Sequence, residues 1–212
     1  MTQASGPQEQ GAGALNAPEY WPHFIPDPVW APIATTIVLL CVGVTGVIAH
    51  QPWLFPSLGP TAFTQTEYPD HRTARFYNVL MGHGCGAAAG MLAVLAAGAS
   101  DSPSVLVSGR LTAARTGAAA IAVALTILLT LLLRAAHPPA VSTSLLFALG
   151  VFRPTAHDVL VIGAGVLITA CAGELLRRLR LRRLRRYLLR RWLAERRQRA
   201  RITSLPHRHH AP

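Results

Sequence analysis

Four long apolar stretches divide this chain, and two short segments of different character lie among them. Residues 33–49 carry no charge, 78–99 carry no acid and no arginine, 116–133 are again uncharged, and 159–173 are bounded by Asp158 and Glu174. Runs of about 17–25 apolar residues cross, as helix, a hydrocarbon core about 30 Å thick. The short segments are SLGPTA (57–62) and HPPAVST (137–143), rich in proline, small residues and hydroxyls. Backbone of that kind survives at membrane depth only where protein buries it or where it lines a polar cavity. The expected fold class is all-α: a membrane protein with four transmembrane helices plus two short re-entrant half-helices.

Those half-helices are expected from Thr61 to about Gln65 and from Ala140 to Gly150. Proline suits a first helical turn, where its missing N–H has no partner in any case. Pro60 fits that place in one segment, and Pro138 with Pro139 in the other. Amides at Thr61, Ala62, Val141 and Ser142 would then point off the helix ends, with Gly59 giving close backbone access. Two positive helix ends near one axis make a site for a small anion. The hydroxyls of Thr61, Ser142, Thr143 and Ser144 add donors without formal charge. His83 falls within the second span and His137 at the mouth of the second segment. Ionisable residues at membrane depth are functional candidates by default. Asn78, at the start of the second span, can cap it or face the path.

The two halves align at a shift of 82 residues, which superimposes Thr61 on Thr143. At a shift of 83, Gly82, Gly86 and Gly90 fall on Gly165, Thr169 and Gly173. Small residues every fourth position let helices approach closely in lipid. The expectation is two parallel structural repeats, about 32–99 and 112–176, within a transmembrane domain of 32–176. With two crossings per half, both short segments would enter from one face.

The composition agrees with a membrane chain: 51% hydrophobic, only 14% charged and a mean hydropathy of +0.33 over 212 residues. The net charge of +11 is local, because every basic residue is arginine and thirteen of the twenty lie within 177–201. Arginines collect on the cytoplasmic side of membrane proteins. Both termini are therefore expected in the cytoplasm of a multi-pass cell-membrane protein. Arg110 and Arg115 are expected inside, and Arg72, Arg75, Arg134 and Arg153 outside. Leu181, Leu184, Leu188 and Trp192 recur at helical spacing among the arginines. Residues 177–212 read as a basic amphipathic helix and tail. Anionic lipid is its expected partner, with self-association through the leucine stripe as the alternative; separately, a chain with only four full spans is expected to need further copies of itself to enclose a path, as a homo-oligomer. No recognised fold for nucleic acid accompanies the charge.

Residues 1–31 carry neither the basic start nor the apolar core of a secretory signal, and read as a disordered tail. Cys41, Cys85 and Cys171 show no metal-ligand spacing and are expected as small buried apolar groups. The terminal His207 to His210 run offers at most a weak metal site. Polar residues at depth are too few for an enzyme's nucleophile, base and orienter, and no zinc or nucleotide motif implies a cofactor.

HPPA (137–140), following an apolar span, resembles the signature of the HPP family of integral membrane proteins. SLGPTA is similar to that family's G-A-S-A element, and NVLMGH (78–83) to its N-V-I-G-G-H element; Pro60 and Met81 depart from the pattern. The resemblance covers roughly 32–174. It implies an all-α, four-span membrane protein, some members of the family being associated with nitrite transport. Cytoplasmic CBS domains found in bacterial relatives have no counterpart in this sequence. The functional expectation is a transporter or channel for a small inorganic anion, nitrite first. The alternative is a non-transporting membrane anchor or regulator that acts through the arginine helix.

Overall fold

The computed structural model describes residues 25–203; of the N-terminal tail expected to be disordered over 1–31, residues 1–24 lie outside them and 27–31 instead form the start of the first helix, while the terminal histidine run lies entirely outside. The described chain forms helices and turns, without a strand. They are α1 (Asp27–Ile48), α2 (Leu58–Glu67), a short 3-10 turn (Arg72–Ala74), α3 (Phe76–Ala96), α4 (Val105–Ser108), α5 (Ala113–Leu132), α6 (Ala140–Ala148) and α7 (Ala156–Thr203). Four of these, α1, α3, α5 and α7, are long and apolar enough to cross a membrane. Their outward faces carry apolar side chains such as Ile33, Ile37, Leu40 and Val44 on α1 and Ile127, Leu128 and Leu131 on α5. Such broad exposed apolar surface is foreign to a water-soluble monomer and suits lipid.

The direction of the short helices differs from expectation. Thr66, near the end of α2, bonds Thr35 in the first half of α1 through their hydroxyls at 2.7 Å. The next loop reaches the lower part of α7, where Arg177 donates to the Pro69 carbonyl at 2.7 Å. Arg180, one turn further along α7, grips Asp27 and the Ile25 carbonyl at the start of α1. Thus α3 begins at the end of the bundle where α1 also began, here termed the terminal end. The chain between α1 and α3 does not dip and leave by one face; it returns the full way. Extended chain at 52–55, about 3.3 Å per residue, a turn at 56–57 and the ten-residue helix of about 15 Å together span most of that distance.

The second half behaves alike. The end of α5 meets the start of α3, where Tyr77 donates to the Leu133 carbonyl and Asn78 to the Ala136 carbonyl, both at 3.1 Å. The end of α6 lies at the far end instead, against Arg115 and the α4 turn, with Val105 N–H donating to the Leu149 carbonyl at 3.0 Å. The bundle therefore has six passes, four unbroken and two made of a short helix plus extended chain. The first three run up, down, up, and the last three down, up, down. Repeats of equal orientation, each with two crossings, are incompatible with this order.

The arginine placement changes with it. Arg72, Arg75 and Arg134 sit at the terminal end, beside the arginine-rich part of α7, while Arg110 and Arg153 sit at the far end. Arg115 is not a loop charge. Its buried guanidinium donates to the carbonyls of Ser102 (2.6 Å), Ala148 (3.2 Å) and Phe147 (3.4 Å), closing the negative end of α6.

Glycines seat the broken passes. A Cβ on Gly82 would lie 2.6 Å from that of His137, and one on Gly90 would lie 2.7 Å from the Ser144 carbonyl; at Gly86 it would overlap the Ala140 carbonyl. On α7, Gly165 faces the Trp53 carbonyl and Gly173 the Gln65 side chain in the same manner. Hence α3 carries α6, and α7 carries α2. Cys85 is buried as expected, but Cys41 and Cys171 are exposed on the outer helix surfaces. Small sulfur side chains meet no penalty there if the surrounding medium is apolar. Beyond the bundle, α7 continues without a break, and Glu174 pairs with Arg177 at 2.7 Å and Arg178 at 2.6 Å.

Candidate functional site

Two proline-bearing helix starts and one histidine from an unbroken helix converge in the interior. Ser57 stands at the N-cap position of α2 and Pro139 at that of α6, neither with a side-chain capping bond. The helices begin side by side and run in opposite directions, so Ser57 Oγ lies 2.9 Å from Thr143 Oγ1. One turn further, Thr61 Oγ1 lies 3.2 Å from His137 Nε2. His83 enters between them from α3, with Nε2 at 2.8 Å from Thr61 Oγ1 and Nδ1 at 2.6 Å from Thr143 Oγ1. The two threonines that the 82-residue shift superimposes thus grip opposite edges of one imidazole. The His83 and His137 rings lie 5.0 Å apart and are tilted by 60°.

The backbone supports this arrangement at each point. Asn78 holds the Ala136 carbonyl just before His137. His137 Nδ1 lies 2.8 Å from the Thr73 carbonyl, which can only accept, so the ring carries its proton there. Thr61 Oγ1 also reaches the Ser57 carbonyl at 2.8 Å. Ser57, Thr61 and Thr143 are fully buried, and the histidines almost so, at 2% and 3% exposure. The junction is closed off from the surface, and its contacts run among imidazole rings, hydroxyls and backbone carbonyls.

The structure brings together Thr61, His83, His137 and Thr143, with Asn78 as a support. It does not bring in the rest. Ser144 turns back to the Val141 carbonyl of its own helix at 2.8 Å. Ser142 is half-buried beside the junction, Ala62 is buried in the core, and Pro60 and Pro138 are exposed. Gly59 has open space where a Cβ would stand. The expected free amides are also absent at α6, since Ala140, Val141 and Ser142 donate to the carbonyls of His137, Pro138 and Pro139. A tight turn through the proline pair uses them up. On α2 the helix starts earlier than expected, at Leu58, which puts Pro60 inside the first turn and Thr61 and Ala62 beyond it. Side chains, rather than helix-end amides, therefore form the polar surface of the junction. Ser57 is the member that sequence reasoning left unassigned; its only signal was that it opens SLGPTA.

No curated protein and no solved structure matches the chain. The family model for the HPP transmembrane region matches residues 23–187, a stretch that contains the whole bundle and all five side chains of the junction. On that match this chain belongs to the HPP transmembrane family.

Proposed function

We propose that the chain is a transporter or channel for a small inorganic anion, nitrite first, with the path crossing the junction of α2 and α6. One observation carries this: two interrupted passes place their helix starts against each other inside an apolar bundle, with histidines and hydroxyls between them. Interrupted helices meeting near mid-depth, at the interface of two halves, are the usual setting of a transport site. The packing supports two inverted halves. Exchanging α1 with α5, α2 with α6 and α3 with α7 maps the pair α1–α2 onto α5–α6, α3–α6 onto α7–α2, and α3–α5 onto α7–α1, all of which pack together.

The chemistry suits a monovalent, weakly hydrated anion. Imidazole N–H and hydroxyl groups supply donors, and no arginine joins the junction to hold a multivalent phosphate. Binding requires these side chains to exchange their mutual bonds for bonds to the anion. Both termini are placed in the cytoplasm, because the terminal end bears the arginine run together with Arg72, Arg75 and Arg134. The arginine-rich part of α7 is proposed to rest on anionic lipid.

Purified protein in liposomes, with nitrite, nitrate, chloride and formate followed in turn, tests the proposal. Nitrite flux above that of empty vesicles, lowered at least ten-fold by His83→Ala or His137→Ala, is expected. No flux for any of the four refutes it. The alternative, an anchor or regulator working through α7, draws on the unbroken continuation of that helix past the bundle. It requires that deleting 181–212 abolish activity while His137→Ala leaves it intact.

A further inference from the structure

The five junction side chains form one continuous line of hydrogen bonds with a definite direction. The Thr73 carbonyl fixes the His137 proton on Nδ1, which leaves the Nε2 lone pair facing Thr61 Oγ1. The remaining protons then fall into order. His83 Nε2–H donates to Thr61, Thr143 O–H to His83 Nδ1, and Ser57 O–H to Thr143, while the single Thr61 proton is shared between the Ser57 carbonyl at 2.8 Å and His137 Nε2 at 3.2 Å. From Thr143 to His137 each member gives one hydrogen bond and takes one, and Ser57 opens the line as a donor. Helix packing alone requires no such head-to-tail order; Thr126, Thr130 and Thr169 turn back on their own helices, whereas Thr61 does so and also meets both histidines.

We infer that this line, from Ser57 through Thr143, His83, Thr61 and His137 to the Thr73 carbonyl, conducts a proton, and that anion movement through the junction is coupled to it. The coupling rests on the permeation proposed above; the conduction does not. A hydronium ion reaching Ser57 Oγ when the junction opens gives up one proton there. The Ser57 proton passes to Thr143, that of Thr143 to His83 Nδ1, that of His83 Nε2 to Thr61, and that of Thr61 to His137 Nε2. His137 then holds two protons and releases the one on Nδ1 to water beside Thr73, which is half-exposed at the terminal end. At each atom one bond to hydrogen forms as another breaks, one proton enters, one leaves, and nothing is oxidised. Turning the hydroxyls and rings restores the starting order. Thr61 is the switch, because its single proton can point to the Ser57 carbonyl at 2.8 Å instead of to His137.

No other ionisable group joins the line. Among the described residues of the surrounding elements these groups include Asp27 and Cys41 on α1, Glu67 on α2, Arg72 on the 3-10 turn, Tyr77 and Cys85 on α3, Arg115 on α5, and His157, Asp158, Cys171, Glu174, Arg177, Arg178 and Arg180 on α7, and the hydrogen bonds of the line reach none of them. Tyr77, Arg115, Glu174 and Arg177 are engaged elsewhere, with Leu133, the α6 carbonyls, the arginine pair and Pro69. A charge on either histidine is therefore shared along the line rather than met by a carboxylate.

The test uses the full chain in liposomes holding a pH-sensitive dye, with potassium and valinomycin clamping the voltage. A nitrite jump at equal pH is expected to acidify the lumen beyond the change seen in empty vesicles. Thr61→Val and His83→Gln should lower the protons moved per nitrite at least ten-fold, and Thr61→Ser should restore the ratio. Ser57→Ala, at the far end of the line, supplies a second break should Thr61→Val not yield a monodisperse protein. Nitrite uptake with no proton signal overturns the relay and leaves the proposed function standing. If no anion moves, the function fails, and a voltage-driven proton flux is measured alone: loss in Thr61→Val supports the relay, and an equal flux in both proteins overturns it.

Discussion

Gly84 and Gly86 stand two residues apart on α3 and meet opposite surroundings. A methyl group on Gly84 would touch nothing within 4 Å, whereas one on Gly86 would overlap the Ala140 carbonyl. Alanine is the better helix former by about 0.5–1 kcal/mol. Gly84→Ala is therefore expected to raise the thermal midpoint of the purified protein slightly. Gly86→Ala must push α6 outward, an overpacking cost of about 1–3 kcal/mol, and should lower that midpoint while depressing transport. Equal midpoints for the two variants would show that α6 does not rest on α3 as described. The small-residue ladder itself was legible in the sequence, since period-four glycines have few other uses in a membrane helix. Which glycines touch backbone, and which face open space, was not, because that depends on the partner helix.

At the level of elements, α6 is a nine-residue helix whose carbonyl end is closed by one buried arginine. Replacing Arg115 by methionine keeps most of the volume but leaves several carbonyls without a donor. Hydrogen bonds to a charged group contribute about 1.5–3 kcal/mol each, and an orphaned buried group costs about 1–3 kcal/mol. A loss of about 2–4 kcal/mol is expected, read as a fall in the midpoint of chemical or thermal unfolding. Arg115→Lys should recover only part of it, because an ammonium cannot fork across carbonyls belonging to two segments. The four long helices and the positions of both short ones were readable from hydropathy and proline placement. The role of Arg115 was hidden, because an arginine between two spans reads the same in a loop as inside a helix-end cap. Similarly, the histidines and threonines announced themselves by residue type at membrane depth, but Ser142 and Ser144 look identical to Thr143 until the helix rotates them aside.

For the whole molecule, the decisive question is which loops share a side. Single cysteines at Arg72 and Arg110, introduced after Cys41, Cys85 and Cys171 are changed to alanine, answer it with an impermeant thiol reagent on sealed vesicles of known orientation. Arg72→Cys is expected to label from the side of the C-terminus and Arg110→Cys from the opposite side. The reverse result would restore four simple crossings. Sequence patterning alone pointed to the reverse, for a physical reason: the pass through 51–67 joins irregular chain to one short helix, and such a pass has no hydropathy signature of a span. Loop arginines were also too evenly divided between the two sides to correct the error.

The cross-wise seating of the short helices has a consequence for how the molecule is made. While the first hundred residues leave the ribosome, α2 has α1 beside it but lacks α7, the support that arrives last. Its hydroxyls and the His83 ring must wait, half-assembled, for partners 60–86 residues away in the chain. Neither half is an independent folding unit. Expressed as separate fragments, 1–104 and 105–212 should each be degraded alone, yet accumulate together as an interlocked pair.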